Sequence, residues 1–145
     1  MKGYKLTEPF VLSEEEINET EPTIASSKVR IIKCLLSLAD VLRFNGSISA
    51  ENLILGSTGI GVVSQTDTNL FDLEKGKHVY IEPYKTCNQC YNCKNGEEKK
   101  CSNLMIAGED YDGFLADFAE VESSKLFLLP ESVSDYEALF IGQIS

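Results

Sequence analysis

Four cysteines fall inside the stretch CNQCYNCKNGEEKKC, where Cys87, Cys90, Cys93 and Cys101 take the spacing C-x2-C-x2-C-x7-C. Thiols crowded this closely are joined either by disulfides or by a shared metal, and the compartment decides between the two. The N-terminus MKGYKLTEPFVLSEEE lacks a signal-peptide pattern, and no apolar run approaches the ~20 residues that span a bilayer. A cytoplasmic location is therefore expected, and there the crowding points to metal. Four sulfurs with no histidine favour a closed structural zinc site, because a filled tetrahedron leaves no position for water or substrate.

An iron–sulfur cluster also uses C-x2-C-x2-C. Its fourth cysteine usually follows after three residues and precedes proline, whereas Cys101 follows after seven and precedes Ser102. Gly96 supplies the backbone freedom such a wrap needs. Lys85, Lys94, Lys99 and Lys100 flank the ligands and are expected to lower the thiol pKa values, partly offsetting the excess of negative charge. Structural zinc in small peptides suggests that one ion would hold residues 85 to 103 together with an apparent ~10 kcal/mol or more.

A second motif competes for a functional reading. The run LILGSTGIGVVSQ places Gly56, Gly59 and Gly61 after a short apolar segment, as a strand-to-helix phosphate cradle would. A dinucleotide cradle needs a helix directly after the glycines and an acidic residue about 20 positions on, for which Glu82 is available. The helix is the obstacle: VVSQTDTN is β-branched and then turn-forming, and the glycine order is G-x-x-G-x-G. The stretch reads better as strand, glycine turn, strand.

The rest of the chain is short strands separated by turns, the pattern of a barrel or sandwich. KVRIIKCLL is β-branched, HVYIE is a strand after the turn at Glu74 to Lys77, and two more strands precede Pro130. The acidic SEEEINETEPT reads as a solvated loop around Pro22, and the cysteine segment as nearly free of regular structure. Helices are expected near residues 38 to 44 and after 134, where Ser134 and Glu137 have capping-box spacing. Leu139, Phe140, Ile141 and Ile144 are too apolar for a free tail and should fold back or meet another surface. With 145 residues, 43% of them hydrophobic, one core and one domain over 1–145 are expected. A formal charge of -10 argues against a nucleic-acid groove or an anionic membrane surface. Cys34, in an apolar strand, reads as an inert buried thiol, and His78, the single histidine, as a surface or structural residue.

Four segments together carry a family resemblance: KVRIIKCLLSLAD, LILGSTGIGVV, GKHVYIEPYKTCNQCYNCKNGEEKKC and DGFLADFAEVESSKLFLLPESVSDYEAL. In order and spacing the chain resembles the N-terminal, GroES-like catalytic domain of the zinc-containing medium-chain alcohol dehydrogenases, which include threonine and polyol dehydrogenases. The resemblance implies a mostly β fold, a GroES-like partly open barrel with a zinc-binding lobe and a few short helices. It also implies a structural zinc on the same four cysteines, and a barrel turn at Gly56 and Gly61 in place of a cofactor cradle.

The departures from that family concern its catalytic zinc. Where the family has a cysteine three residues before an aspartate, this chain has Ser37 before Asp40; where it has histidine and glutamate after the first glycine, Ser57 and Thr58. The family's later Glu-Pro pair falls on Gly142-Gln143. Hydroxyls are poor zinc ligands beside thiolate, imidazole and carboxylate, so no catalytic zinc and no catalytic residue is expected. The family's Rossmann domain would follow the helix near Asp135. With the sequence ending at Ser145, no NAD- or NADP-binding unit is expected in these residues.

The expected function is thus a zinc-binding, alcohol-dehydrogenase-like domain that is inactive alone. It would form a homo-oligomer or dock on a separate Rossmann-bearing subunit. Two alternatives stand beside it: a fragment or subunit of a split NAD(P)-dependent alcohol, threonine or polyol dehydrogenase, and a non-enzymatic interaction module. A zinc-ribbon nucleic-acid binder fits poorly, since no extended basic face is available.

Overall fold

Short strands dominate the computed structural model, which describes residues 1–17, 22, 25–50, 52–66 and 73–140. In chain order these are β1 (Lys2–Glu8), β2 (Val11–Glu16), β3 (Ser26–Leu35), α1 (Leu38–Phe44), β4 (Leu53–Ile54), β5 (Thr58–Thr66), β6 (His78–Ile81) and β7 (Tyr84–Lys85). There follow α2 (Tyr91–Lys94), β8 (Met105–Ile106), β9 (Phe118–Glu122), β10 (Leu126–Leu128) and α3 (Asp135–Ala138). The main sheet is antiparallel with strand order β10-β6-β5-β3-β9. A second runs β2-β1-β4, and β7 pairs with β8. The sheets curl into a partly open barrel.

Strand periodicity sorts the core into two layers. Along β6, Val79 and Ile81 join Val29, Val63, Phe114 and Leu126 on one face of the main sheet. Tyr80, between them, points to the other face and packs with Ile60, Ala138 and Leu139. Each fully buried valine or isoleucine here is worth roughly 1.5–3 kcal/mol relative to exposure. The second cluster docks α3 on the sheet, so Leu139 folds back on the body as expected, while Phe140 remains 43% exposed. Ile141 and Ile144 lie outside the described residues.

Some sequence-based expectations need correction. The acidic run Ser13 to Glu16 is strand, not loop, because it pairs with β1 and its charges are matched across the ladder. Lys2 meets Glu14 at 2.9 Å, Lys5 meets Glu15 at 3.5 Å, and the N-terminal amine meets Glu16 at 2.8 Å. Most of the remaining stretch around Pro22 lies outside the described residues. The cysteine segment also holds more structure than expected, α2 and a 3-10 turn over Glu98–Lys100.

The glycine run resolves as a barrel turn entering a long strand. Gly56, at φ +96°, makes the turn between β4 and β5. Gly61 does not belong to that turn. It lies inside β5, paired with Ile31 and Val79, where a Cβ would stand 2.3 Å from Val29 Cγ1 and 2.6 Å from the Arg30 carbonyl oxygen. Its role is close packing of β5 on β3. No helix follows these glycines; β5 runs on to Thr66.

Candidate metal site

The antiparallel pair β7–β8 sets Tyr84 opposite Ile106 and Lys85 opposite Met105, which draws the two ends of the cysteine segment together. Inside that neck, Cys90 is the N-cap of α2 and Cys93 sits within the helix, while the 3-10 turn ends at Cys101. The Sγ atoms of Cys87, Cys90, Cys93 and Cys101 consequently all lie within 4.8 Å of one another. Cys87 Sγ stands 3.9 Å from Cys93 Sγ and 3.5 Å from Cys101 Sγ. A disulfide requires about 2.05 Å. Four sulfurs bound at about 2.3 Å to one tetrahedral centre stand about 3.8 Å apart, so this cluster is one that could hold a metal ion.

Backbone amides already favour thiolate here. Gln89 and Cys90 N–H donate to Cys87 Sγ at 3.4 and 3.3 Å, and Cys87 and Asn103 N–H donate to Cys101 Sγ, each at 3.4 Å. The amides of Gln89 and Cys90 hold the Cys87 thiol below its ordinary value. Those of Cys93 and Ser102 bring Cys90 down to about 5. Cys93 goes the other way, up to about 12, through burial and then its sulfur neighbours. A divalent cation bound here would reconcile the set, since a coordinating thiol is deprotonated outright. The flanking lysines are not the leading cause of the lowered values: Lys100 pairs with Glu97 at 3.8 Å, and Lys85 lies 4.3 Å over the Tyr111 ring.

At the other candidate position the chain is arranged as a helix cap. Register pairs Leu35 with Thr58, so Ser37, just past β3, and Ser57, just before β5, lie at the same end of that strand pair. Ser37 Oγ donates to Asp40 Oδ2 at 2.9 Å and accepts the Asp40 amide at 3.3 Å. Asp40, 1% exposed, also accepts the Ser37 amide at 2.7 Å and, through Oδ1, the Gly56 amide at 3.1 Å. Thr58 is buried and Ser57 half-buried. Gly142 and Gln143 lie outside the described residues.

His78 begins β6, and its Nδ1 lies 2.8 Å from Asp135 Oδ1 at the start of α3. Cys34 is half-buried, its thiol pushed up to about 12 by burial and by Asp40. A buried ionic join between the cysteine lobe and the barrel, centred on Lys125, was not foreseen from the sequence. The one available signal was a lysine placed beside the apolar run LFLLP. No described helix is long and apolar enough to cross a membrane.

Comparison with known proteins places this geometry. The profile of the alcohol dehydrogenase GroES-like domain matches residues 25–131. The starvation-sensing protein RspB of Escherichia coli K12 is 25% identical over 97% of this chain and 42% of its own length. The L-threonine 3-dehydrogenase of Pyrococcus horikoshii is 31% identical over 55% of this chain and 23% of its own. Among solved structures, a short chain alcohol dehydrogenase from Escherichia coli CFT073, complexed with NADH, superposes with a TM-score of 0.87 at 24% identity. The match covers 97% of this chain and 42% of that one. The chain thus spans about two fifths of the relatives it matches end to end.

Proposed function

Because this chain belongs to the alcohol dehydrogenase GroES-like domain family, we propose that it is the catalytic-domain homologue of a zinc-type medium-chain dehydrogenase. In this reading Cys87, Cys90, Cys93 and Cys101 hold one structural zinc, and these 145 residues form a single domain that is inactive alone. The observation that carries it is the four Sγ atoms within 4.8 Å of one another. The ion's contribution is structural: with four protein ligands it offers no open position for a substrate. A working metal has poor prospects at Ser37, whose hydroxyl is engaged with Asp40, and at Ser57 and Thr58, which offer only hydroxyl oxygens.

Hydride transfer in this reading depends on a nucleotide-binding domain outside these residues, in a longer chain or a separate subunit. Alcohols, polyols or threonine are the substrate class of that larger assembly. Tyr136 and Phe140, 66% and 43% exposed on and beside α3, favour docking over a solitary role. Metal analysis combined with NAD and NADP titration of the purified protein tests the reading. One equivalent of zinc and no saturable nucleotide binding is the expected result. No zinc, a second equivalent, or tight nucleotide binding overturns it.

A further inference from the structure

Lys125 is a lysine with 10% of its side chain exposed, lodged where the cysteine lobe meets the barrel. Its Nζ lies 3.0 Å from Glu98 Oε2, in the 3-10 turn that ends at Cys101, and 3.7 Å from Glu82 Oε2, just past β6. The ammonium stands 5.1 Å over the Tyr84 ring, and the Tyr84 hydroxyl donates to Glu82. The Lys125 backbone is held too, its carbonyl accepting the Glu82 amide at 2.9 Å.

A buried ammonium is costly unless its charge is matched. Here one carboxylate comes from the barrel and the other from the lobe, so the match requires both parts to be folded. Glu98 is presented by the turn that sets Cys101: the Cys101 amide donates to the Glu98 carbonyl at 3.0 Å, and the Lys100 amide to that of Glu97 at 3.0 Å. An ion on the four sulfurs would anchor this turn and with it the position of Glu98; without that anchor Glu98 would be free to leave. Lys125 would then be left with Glu82 alone.

We propose that Lys125 is a positioning residue for the metal site, tying occupancy of the four-cysteine cluster to the order of the barrel seam around Glu82. The proposal rests on the zinc reading above. Linkage makes the coupling reciprocal: an ordered seam strengthens metal binding, and bound metal orders the seam. Partners behind metal ligands typically change affinity by about 10–100-fold, and Glu98, 41% exposed, belongs at the lower end.

The test measures zinc transfer from the loaded protein to a chelator, together with hydrogen exchange at the Glu82 amide. Lys125→Met and Glu98→Gln are expected to lose zinc roughly tenfold faster than wild type, whereas Lys125→Arg, which keeps the charge, stays near it. Lys100→Gln removes a lobe charge that does not reach the barrel and should leave the rate unchanged. Removing zinc should speed Glu82 exchange in wild type but not in Glu98→Gln. If Lys125→Met does not fold, Glu98→Gln decides, since it leaves the Lys125–Glu82 pair in place. Wild-type release from Glu98→Gln, or equal acceleration by Lys100→Gln, overturns the coupling while leaving zinc binding intact. Absence of zinc from the wild-type protein overturns the zinc reading itself.

Discussion

Asp40 Oδ1 accepts the amide of Gly56 at 3.1 Å, which ties the cap of α1 to the turn between β4 and β5. With Oδ2 taking the Ser37 amide and hydroxyl, a buried carboxylate serves three donors. Asp40→Asn substitutes an N–H2 for one acceptor oxygen and sets donor against donor. A loss of about 2 kcal/mol is expected by urea denaturation, with the zinc content unchanged. Wild-type stability would show that the carboxylate is dispensable.

Gly56 is constrained twice. Its φ of +96° disfavours any side chain, and a Cβ there would stand 2.4 Å from Cys34 Sγ. Gly56→Ala should cost roughly 2–4 kcal/mol, the strain and overpacking contributions together. Adding Cys34→Ala should recover the packing part and leave the strain. Full recovery in the double variant would show that backbone conformation plays no part.

Cys34 and Tyr111 predict an alkaline limb of stability. Burial, then Asp40, raises the Cys34 thiol from 9.0 to about 12, and burial, then Asp110, raises Tyr111 from 10.0 to about 12. Between those values the unfolded chain gives up protons that the folded chain keeps. Stability is therefore complete below pH 9 and falls as pH rises toward 12, by at most about 1.4 kcal/mol per pH unit for one group. Cys34→Ala and Tyr111→Phe should each flatten the decline in zinc-loaded protein, where the lobe thiols are silent. A slope unchanged in both variants refutes the assignment.

Metal removal should act locally first. Chelation, or Cys90→Ser, is expected to raise hydrogen exchange between Tyr84 and Ile106 before Val63 or Val79 in the core responds. Uniform loss of protection, or an unaltered lobe, contradicts this.

The His78–Asp135 pair should matter little. His78 is 48% exposed, and its contact with Asp135 anchors only the first residue of α3, whose packing rests on Ala138 and Leu139. His78→Ala is expected to cost less than about 1 kcal/mol by thermal unfolding and to leave zinc content unaltered.

Local chemistry was legible in the chain itself. The spacing of Cys87, Cys90, Cys93 and Cys101 pointed to a cluster that could hold a metal, because a short loop can bring near neighbours together. Ser134 with Glu137 announced one helix start because a cap is satisfied within four residues, whereas helical spacing alone marked the helix that Ser37 and Asp40 prove to cap. β-branched runs marked β3 and β6 for the same reason: the preference belongs to each residue.

Contacts between distant segments were decided only by the fold. The acidic β2 is a strand because Lys2 and Lys5 lie across from it, and Gly61 is needed because Val29 and the Arg30 carbonyl press on β5. Lys125 is buried because Glu82 and Glu98, 43 and 27 residues away, converge on it. Sequence carries the preference of each residue and its near neighbours, whereas the balance of a buried charge or a tight approach depends on which remote partner the completed barrel puts beside it.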